Sequence, residues 1–490
     1  MQPQVRRVGL GLLLAFLAVF VQLNYVQIFA AERIASNSAN VRSLYREYSI
    51  KRGDIITADN RRIAVSRPTK GDLKYLRTYP GGELYGHVTG FYSIVFGTRA
   101  LEAAYNDQLL GEGGVISMQD IEDHFLGSGE QGDDIITTID SRLQSTARAA
   151  LGDQRGSVVA LDPRTGEVKA MWTTPSYDPS PLASHDPKEE RAYARTLRPR
   201  SADSPMVNGV TQRGYPPGST FKVVTAAAAL ESGRYRPTST FPDPVALDLP
   251  QTDQDLNNFT NTVCANGGRI DLFTALEISC DTTFAMLGLE LHDEIREVSE
   301  DMGFNGDIPF DIGAEASTFP DVPDDSQPLR AFAGIGQGDV VATPLQMALV
   351  AATMATGGEV PRPRLVSKII DASGGLVETF SPESLGQAVS SETASEITEM
   401  MVAVVEEGTG TNAQIPGVSV AGKTGTAQSA AGAAPHAWFI AFAPVQNPQL
   451  AVAVIVENGG SLGAEATGGV VAAPIAKAVL ERDREMSDEW

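Results

Sequence analysis

Three short strings constrain how this 490-residue chain can fold: Ser219-Thr220-Phe221-Lys222, Ser279-Cys280-Asp281 and Lys423-Thr424-Gly425-Thr426. They are spread over about two hundred residues, and their chemistry requires one fold to gather them in one place. A serine hydroxyl is a weak nucleophile until a base takes its proton, and side chains three apart on a helix share a face, the spacing of Ser219 and Lys222. The turn Gly214-Tyr215-Pro216-Pro217-Gly218 precedes them, and Val223 to Leu230, with its alanine run, reads as a buried helix. Ser219 is therefore expected at the first turn of that helix, where free N–H groups can steady an oxyanion. Lys222 can act as a base near neutrality only if burial or a cation lowers its pKa, and Lys423 is the candidate neighbour. Lys423 to Thr426 follows Val418-Ser419-Val420-Ala421-Gly422, which alternates like a strand, and precedes Ser429 to Ala434, which reads as flexible. On a strand edge that string offers an ammonium, two hydroxyls and unpaired backbone to a carboxylate and an extended peptide. Each string also has a plainer reading: a chance helical spacing, a surface turn, and a helix cap for Ser279 and Asp281 ahead of a helical Thr282 to Leu289.

With these strings in place, the sequence resembles the penicillin-binding transpeptidases of the monofunctional class B group, over nearly the whole chain. Lys51-Arg52-Gly53-Asp54-Ile55 with Ala58-Asp59-Asn60 and Ile63-Ala64 looks like the segment that opens the class B N-terminal domain. Gly97-Thr98-Arg99-Ala100-Leu101-Glu102 looks like its second segment, with Ala100 where glycine is more usual. Thr138-Ile139-Asp140, Val159 to Pro163, Pro175 to Pro179, Gly336-Gln337-Gly338 to Thr343-Pro344, and His436-Ala437-Trp438-Phe439 extend the pattern. The second string departs from it: the family normally ends it in asparagine, whose amide donates and accepts, whereas ionised Asp281 only accepts. A carboxylate there also favours the charged form of Lys222.

The resemblance implies an α+β, penicillin-recognising acyl-serine transferase fold, with helices on an antiparallel sheet, a small mixed N-terminal pedestal and one transmembrane helix. It implies D,D-transpeptidation of peptidoglycan stem peptides. Ser219, activated by Lys222, attacks the D-Ala-D-Ala amide; N–H groups of Ser219 and Thr426 hold the oxyanion; Ser279 helps protonate the departing D-alanine. Asp281, Lys423, Thr424, Gly425 and Thr426 are the implied substrate-binding residues, with the carboxylate on Lys423, Thr424 and Thr426. An amine of a neighbouring stem then forms a 3,4 cross-link, and a β-lactam mimics the donor and acylates Ser219. No metal or organic cofactor is required. The implied partners are stem peptides, β-lactams, the membrane, and wall-synthesis or division proteins such as a lipid II polymerase, in a role in cell shape and division. A β-lactamase or D,D-carboxypeptidase would use the same strings with water as acceptor, and a scaffold would bind partners without turnover.

Arg6 and Arg7 precede Val8 to Ala31, which is long enough to cross a bilayer; the competing reading is a cleaved signal peptide, since only Val8 to Val21 is strictly apolar, but no A-x-A cleavage pattern follows. The expected organisation is a cytoplasmic tail over 1–7, an anchor over 8–31, a non-catalytic domain over 32–145 and an extracytoplasmic transpeptidase domain over 146–485. Strands are expected at Gly156 to Leu161, Glu167 to Trp172, Ala437 to Ala443 and Leu450 to Glu457, with a closing helix over Val470 to Leu480. Asp186 to Arg200 reads as a mobile loop or a partner contact, and Glu481 to Trp490 as a solvated tail. Cys264 and Cys280 are close enough in sequence to bridge, worth ~3 kcal/mol, though two buried thiols fit equally well. Five histidines without ligand spacing give no metal motif, and His436 reads as structural or groove-lining. A net charge of -23 with no long basic stripe argues against nucleic acid as a partner.

Overall fold

Five apolar strands build the central sheet of the protein, whose computed structural model describes residues 3–25, 45–112, 131–253, 255–428, 433–487 and 490. In spatial order they are Ala421–Ala427, His436–Ala443, Leu450–Val456, Gly156–Leu161 and Val168–Thr174, every neighbouring pair antiparallel. Both faces are covered, which is why these strands read as near-continuous apolar runs. Val159, Trp438, Ile440 and Ile455 point into one core; Val158, Phe439, Val452 and Val454 point into the other. Ser141–Leu151 and Ala473–Met486 cover the second face, and Pro344–Ala355 and Ser391–Glu406 lie on the first with the helical middle of the chain. This is the expected α+β plan of helices on an antiparallel sheet.

A second, mixed sheet forms the N-terminal part. Its order is Leu376–Thr379, Val366–Ile370, Asp134–Thr137, Ile55–Ile56, Arg62–Pro68 and Tyr75–Thr78. Two of its six strands come from far down the chain, so the sheet joins residues on both sides of the expected boundary at 145, and the helix Ser141–Leu151 runs through that boundary. Beside the sheet, Glu102 is fully buried and ion-paired to Arg52 Nε and Arg77 Nε, each at 2.6 Å, with the Tyr79 hydroxyl donating to it at 3.1 Å. One buried carboxylate shared by two guanidiniums gives each cation a counter-charge and ties Arg52, Arg77 and Glu102, from separate stretches of the N-terminal part, into one buried network. Ala100 has φ +52°, a conformation natural to glycine that costs an L-residue about 1–3 kcal/mol.

Several local expectations are corrected. Asp186 to Arg200 is not a mobile loop: Pro187–Thr196 is a helix, capped by the Asp186 carboxylate, which accepts the Lys188 N–H at 2.8 Å. Its buried stripe is only Glu190 and Ala194, too thin to show as apolar periodicity. The closing helix runs on through Glu481 to Met486, and Trp490 Nε1 returns to Asp483 at 2.9 Å. The strand expected over Val418 to Gly422 begins at Ala421 and contains the Lys423 string itself. Of the segment read as flexible, residues 429–432 lie outside the described residues. The N-terminal helix spans Pro3–Asn24, starting before Val8, and its stretch Arg6–Asn24 is apolar and long enough to cross a membrane; residues 26–31 of the expected anchor lie outside the described residues.

Candidate active site

Ser219 sits in a short 3-10 turn, Gly218–Phe221, and the α-helix begins only at Lys222 and runs to Glu231. The turn is pinned from both sides. Gly218 N–H donates to Gly336 O at 2.8 Å, and the Trp438 indole N–H donates to Pro216 O at 3.0 Å. Tyr215 donates its hydroxyl to Glu457 at 2.8 Å, and Arg213 pairs with the same carboxylate at 3.0 Å. Strand Ala421–Ala427, an edge of the sheet, lies against this turn so closely that a Cβ on Gly425 would come within 2.9 Å of Pro217 O. Glycine in the third string is thus a packing requirement.

The second string lies between helices Leu272–Glu277 and Asp281–Glu290. Ser279 takes a left-handed conformation, φ +65°, that turns the chain toward Lys222. Among the described residues, all three hydrogen bonds of the Lys222 ammonium go to this string: Ser279 O at 2.8 Å, Ser279 Oγ at 3.4 Å and Asp281 Oδ1 at 2.7 Å. The Ser219 hydroxyl is not among its partners. Asp281 Oδ2 accepts the Phe259 N–H at 3.0 Å, so neither Ser279 nor Asp281 serves as the helix cap; Cys280 occupies that position without a side-chain cap bond. Lys222 is fully buried. Burial lowers its pKa, and Asp281 opposes the shift through charge and hydrogen bonding. Lys423 is also fully buried and is pushed well below the usual lysine range by burial first and by the Lys222 charge second.

The three strings meet at a cleft of about 500 Å³, lined by Ser219, Ser279, Asp281, Thr424 and Thr426. Lys222, Lys423 and Gly425 stand behind that wall. Side chains alternate along a strand, so Thr424 and Thr426 share the cleft face while Lys423, whose Nζ donates to Thr424 O at 3.1 Å, does not line it. Sequence reasoning missed the opposite wall. Asn258 Oδ1 accepts the Thr282 N–H at 3.0 Å, Phe259 stands 65% exposed, and Thr409, Gly468 and Gly469 complete the rim. Only the Gly468-Gly469 pair had a signal in the sequence: a Cβ on Gly468 would come within 2.5 Å of Gly425 O.

Cys264 and Cys280 form a disulfide with Cα atoms 5.7 Å apart, closing the loop that carries Phe259 onto the second string. Asp243 lies beside the sulfurs, but its carboxylate accepts the N–H groups of Cys264, Ala265 and Gly267 at 2.8–2.9 Å and so serves as a loop cradle. His436 is structural: its Nδ1 accepts the Asn458 N–H at 3.1 Å and its ring meets Tyr215 edge-on.

Against known proteins, the family described as penicillin binding protein transpeptidase domain matches residues 156–481, and that described as penicillin binding protein A dimerisation domain matches residues 52–135. The chain is similar to the peptidoglycan D,D-transpeptidase PbpA of Mycolicibacterium smegmatis, 39% identical over 98% of each chain. It is 37% identical to that of Mycobacterium tuberculosis H37Rv, over 98% of this chain and 99% of the relative. Penicillin-binding protein A from M. tuberculosis, solved as a ceftriaxone acyl-enzyme complex, matches with a TM-score of 0.84 and 37% identity over 89% of this chain and 99% of that one. The penicillin G acyl-enzyme complex of the same protein matches with a TM-score of 0.82.

Proposed function

The chain belongs to the penicillin-binding protein transpeptidase family, and on that premise we propose that it is a peptidoglycan D,D-transpeptidase acylated, by stem peptides and by β-lactams, on Ser219. The observation that carries the assignment to these residues is the convergence of Ser219, Ser279, Thr424 and Thr426 on one cleft, with Lys222 buried directly behind them.

Neutral Lys222 takes the Ser219 proton as Oγ attacks the carbonyl carbon of the terminal D-Ala-D-Ala amide. The oxyanion is held by the N–H groups of Ser219 and Thr426, fixed donors at a turn and a strand edge. The C–N bond then breaks, and the departing amine receives the Lys222 proton through Ser279, whose hydroxyl lies 3.4 Å from the ammonium. An amine of a second stem attacks the ester, forms the new amide and returns a proton to Ser219. Thr424 and Thr426 offer hydroxyls to the substrate carboxylate, while buried Lys423 acts by its charge. Asp281 holds Lys222 and the Phe259 loop rather than donating to substrate. The N-terminal helix supports single-pass anchoring with the catalytic part outside the membrane, facing the wall.

Intact mass of the full-length protein in detergent, incubated with benzylpenicillin and compared with Ser219→Ala, tests this reading. A long-lived adduct of the whole drug on the wild type, absent from the variant, is expected. Drug hydrolysis without adduct would make the protein a β-lactamase, and a folded protein that does neither would favour a scaffold. With stem pentapeptide and an acceptor amine, the expected product is the amide; release of the hydrolysed peptide alone would make it a carboxypeptidase.

A further inference from the structure

The chain carries a net charge of -23, yet two exposed groups of cations flank the place where the polypeptide coming from the N-terminal helix enters the folded body. That place is Tyr48. Its carbonyl accepts the Tyr75 N–H at 3.2 Å, its ring stacks on Tyr92 at 4.7 Å, and His185 meets it edge-on at 5.5 Å. On one side lies the hairpin of Arg62–Pro68 and Tyr75–Thr78, with exposed Arg67, Lys70 and Lys74. On the other, directly after His185, lies helix Pro187–Thr196. Lys188, Arg191 and Arg195 are exposed on it at i, i+3 and i+7, one face of a helix, and exposed Arg198 and Arg200 follow.

Among the described residues none of these eight cations has a carboxylate oxygen within 4 Å, whereas the acids beside them are engaged locally. Asp186 caps the helix, Glu189 accepts the Ser184 hydroxyl at 2.7 Å, and buried Glu190 binds Ser93 and the Val95 N–H; only Asp72, on the hairpin, is left. The turn that Glu190 holds presents Phe96, 44% exposed. Neither the hairpin nor the helix contributes to the catalytic cleft. Unpaired cations with an exposed aromatic, next to the junction with a membrane-length helix, match a surface built for a lipid headgroup layer.

We propose that this face, formed by the Arg67–Lys74 hairpin and the Lys188–Arg200 helix and turn, rests on anionic phospholipid headgroups and so sets the orientation of the cleft relative to the bilayer. The proposal rests on the anchoring read above. Lysine acylation footprinting by mass spectrometry tests it, using the full-length protein in nanodiscs of phosphatidylcholine alone or with phosphatidylglycerol. Incorporation into the neutral discs tests the anchor by itself. Given incorporation, modification of Lys70, Lys74 and Lys188 is expected to fall by about threefold or more in the anionic discs and to recover in high salt, with Lys477 unchanged. The triple substitution Lys188→Glu, Arg191→Glu, Arg195→Glu should abolish the protection of Lys70 and Lys74. Equal labelling in both discs overturns the proposal, and so does protection that appears in neutral discs only when isolated peptidoglycan strands are added, which would make the face a polymer-binding one.

Discussion

Asp281 binds the Lys222 ammonium at 2.7 Å with one oxygen and the Phe259 N–H at 3.0 Å with the other, so this one carboxylate ties the proposed base to the cleft wall. Burial and Asp281 act on Lys222 in opposite directions, burial favouring the neutral amine that the reaction needs and the carboxylate favouring the ammonium. Asp281→Asn removes the opposing charge while keeping an oxygen for Phe259. Lys222 then loses its proton at lower pH, and the rising limb of β-lactam acylation rate against pH should move to lower pH. Rates of acylation measured across pH for both proteins decide this; a limb that stays in place would mean that Asp281 does not govern the base.

Helix Asp281–Glu290 owes its position to a glycine contact rather than to its caps. Where it crosses Gln327–Gly334, a Cβ added to Gly288 would come within 2.5 Å of Arg330 O and 2.9 Å of Gly334 Cα. Gly288→Ala must therefore push the two helices apart and carry the second string away from Lys222. Overpacking of this kind costs about 1–3 kcal/mol. The expected outcome is a lowered unfolding midpoint together with slower acylation of Ser219, while an exposed control such as Gly233→Ala, with open space around it but a positive φ, should lose stability without losing acylation rate. Slowed acylation in both variants would mean that the crossing does not position the string. The Phe259 loop is placed at the same level of organisation, by a disulfide, the Asp243 cradle and Asn258, which bond it to the start of this helix.

At the scale of the molecule, the N-terminal part and the catalytic part are locked together by shared strands and by His87. This histidine, in the short helix Gly86–Thr89, packs edge-on against Tyr177 at 5.5 Å, and burial lowers its pKa from 6.5 to about 3. Because the folded state binds the proton more weakly than the unfolded chain, the stability His87 allows is complete above pH 6.5 and is lost progressively as pH falls toward 3. At pH 5 the loss is ~2 kcal/mol, and His87→Phe should unfold with a flatter dependence on pH over that window; parallel curves for the two proteins in chemical denaturation would refute it. Much of this architecture was legible in the sequence. Gly156–Leu161 and Leu450–Val456 stand out because buried strands are continuous apolar runs, and Ser219 with Lys222 because nucleophile and base need a local spacing. Helix Pro187–Thr196 was not legible, since only Glu190 and Ala194 are buried along it, and a carboxylate gives no apolar period. By itself the sequence determined the chemistry available, namely a serine, two lysines and a strand of hydroxyls, together with the apolar periods of the core. Only the tertiary structure decided that Lys222 pairs with Asp281 across 59 residues, that Lys423 is buried within reach of the Lys222 charge instead of lining the cleft, and that Val366–Ile370 completes the N-terminal sheet. Those outcomes depend on contacts between distant segments and on which face of each element ends up against a neighbour, quantities that no local spacing encodes.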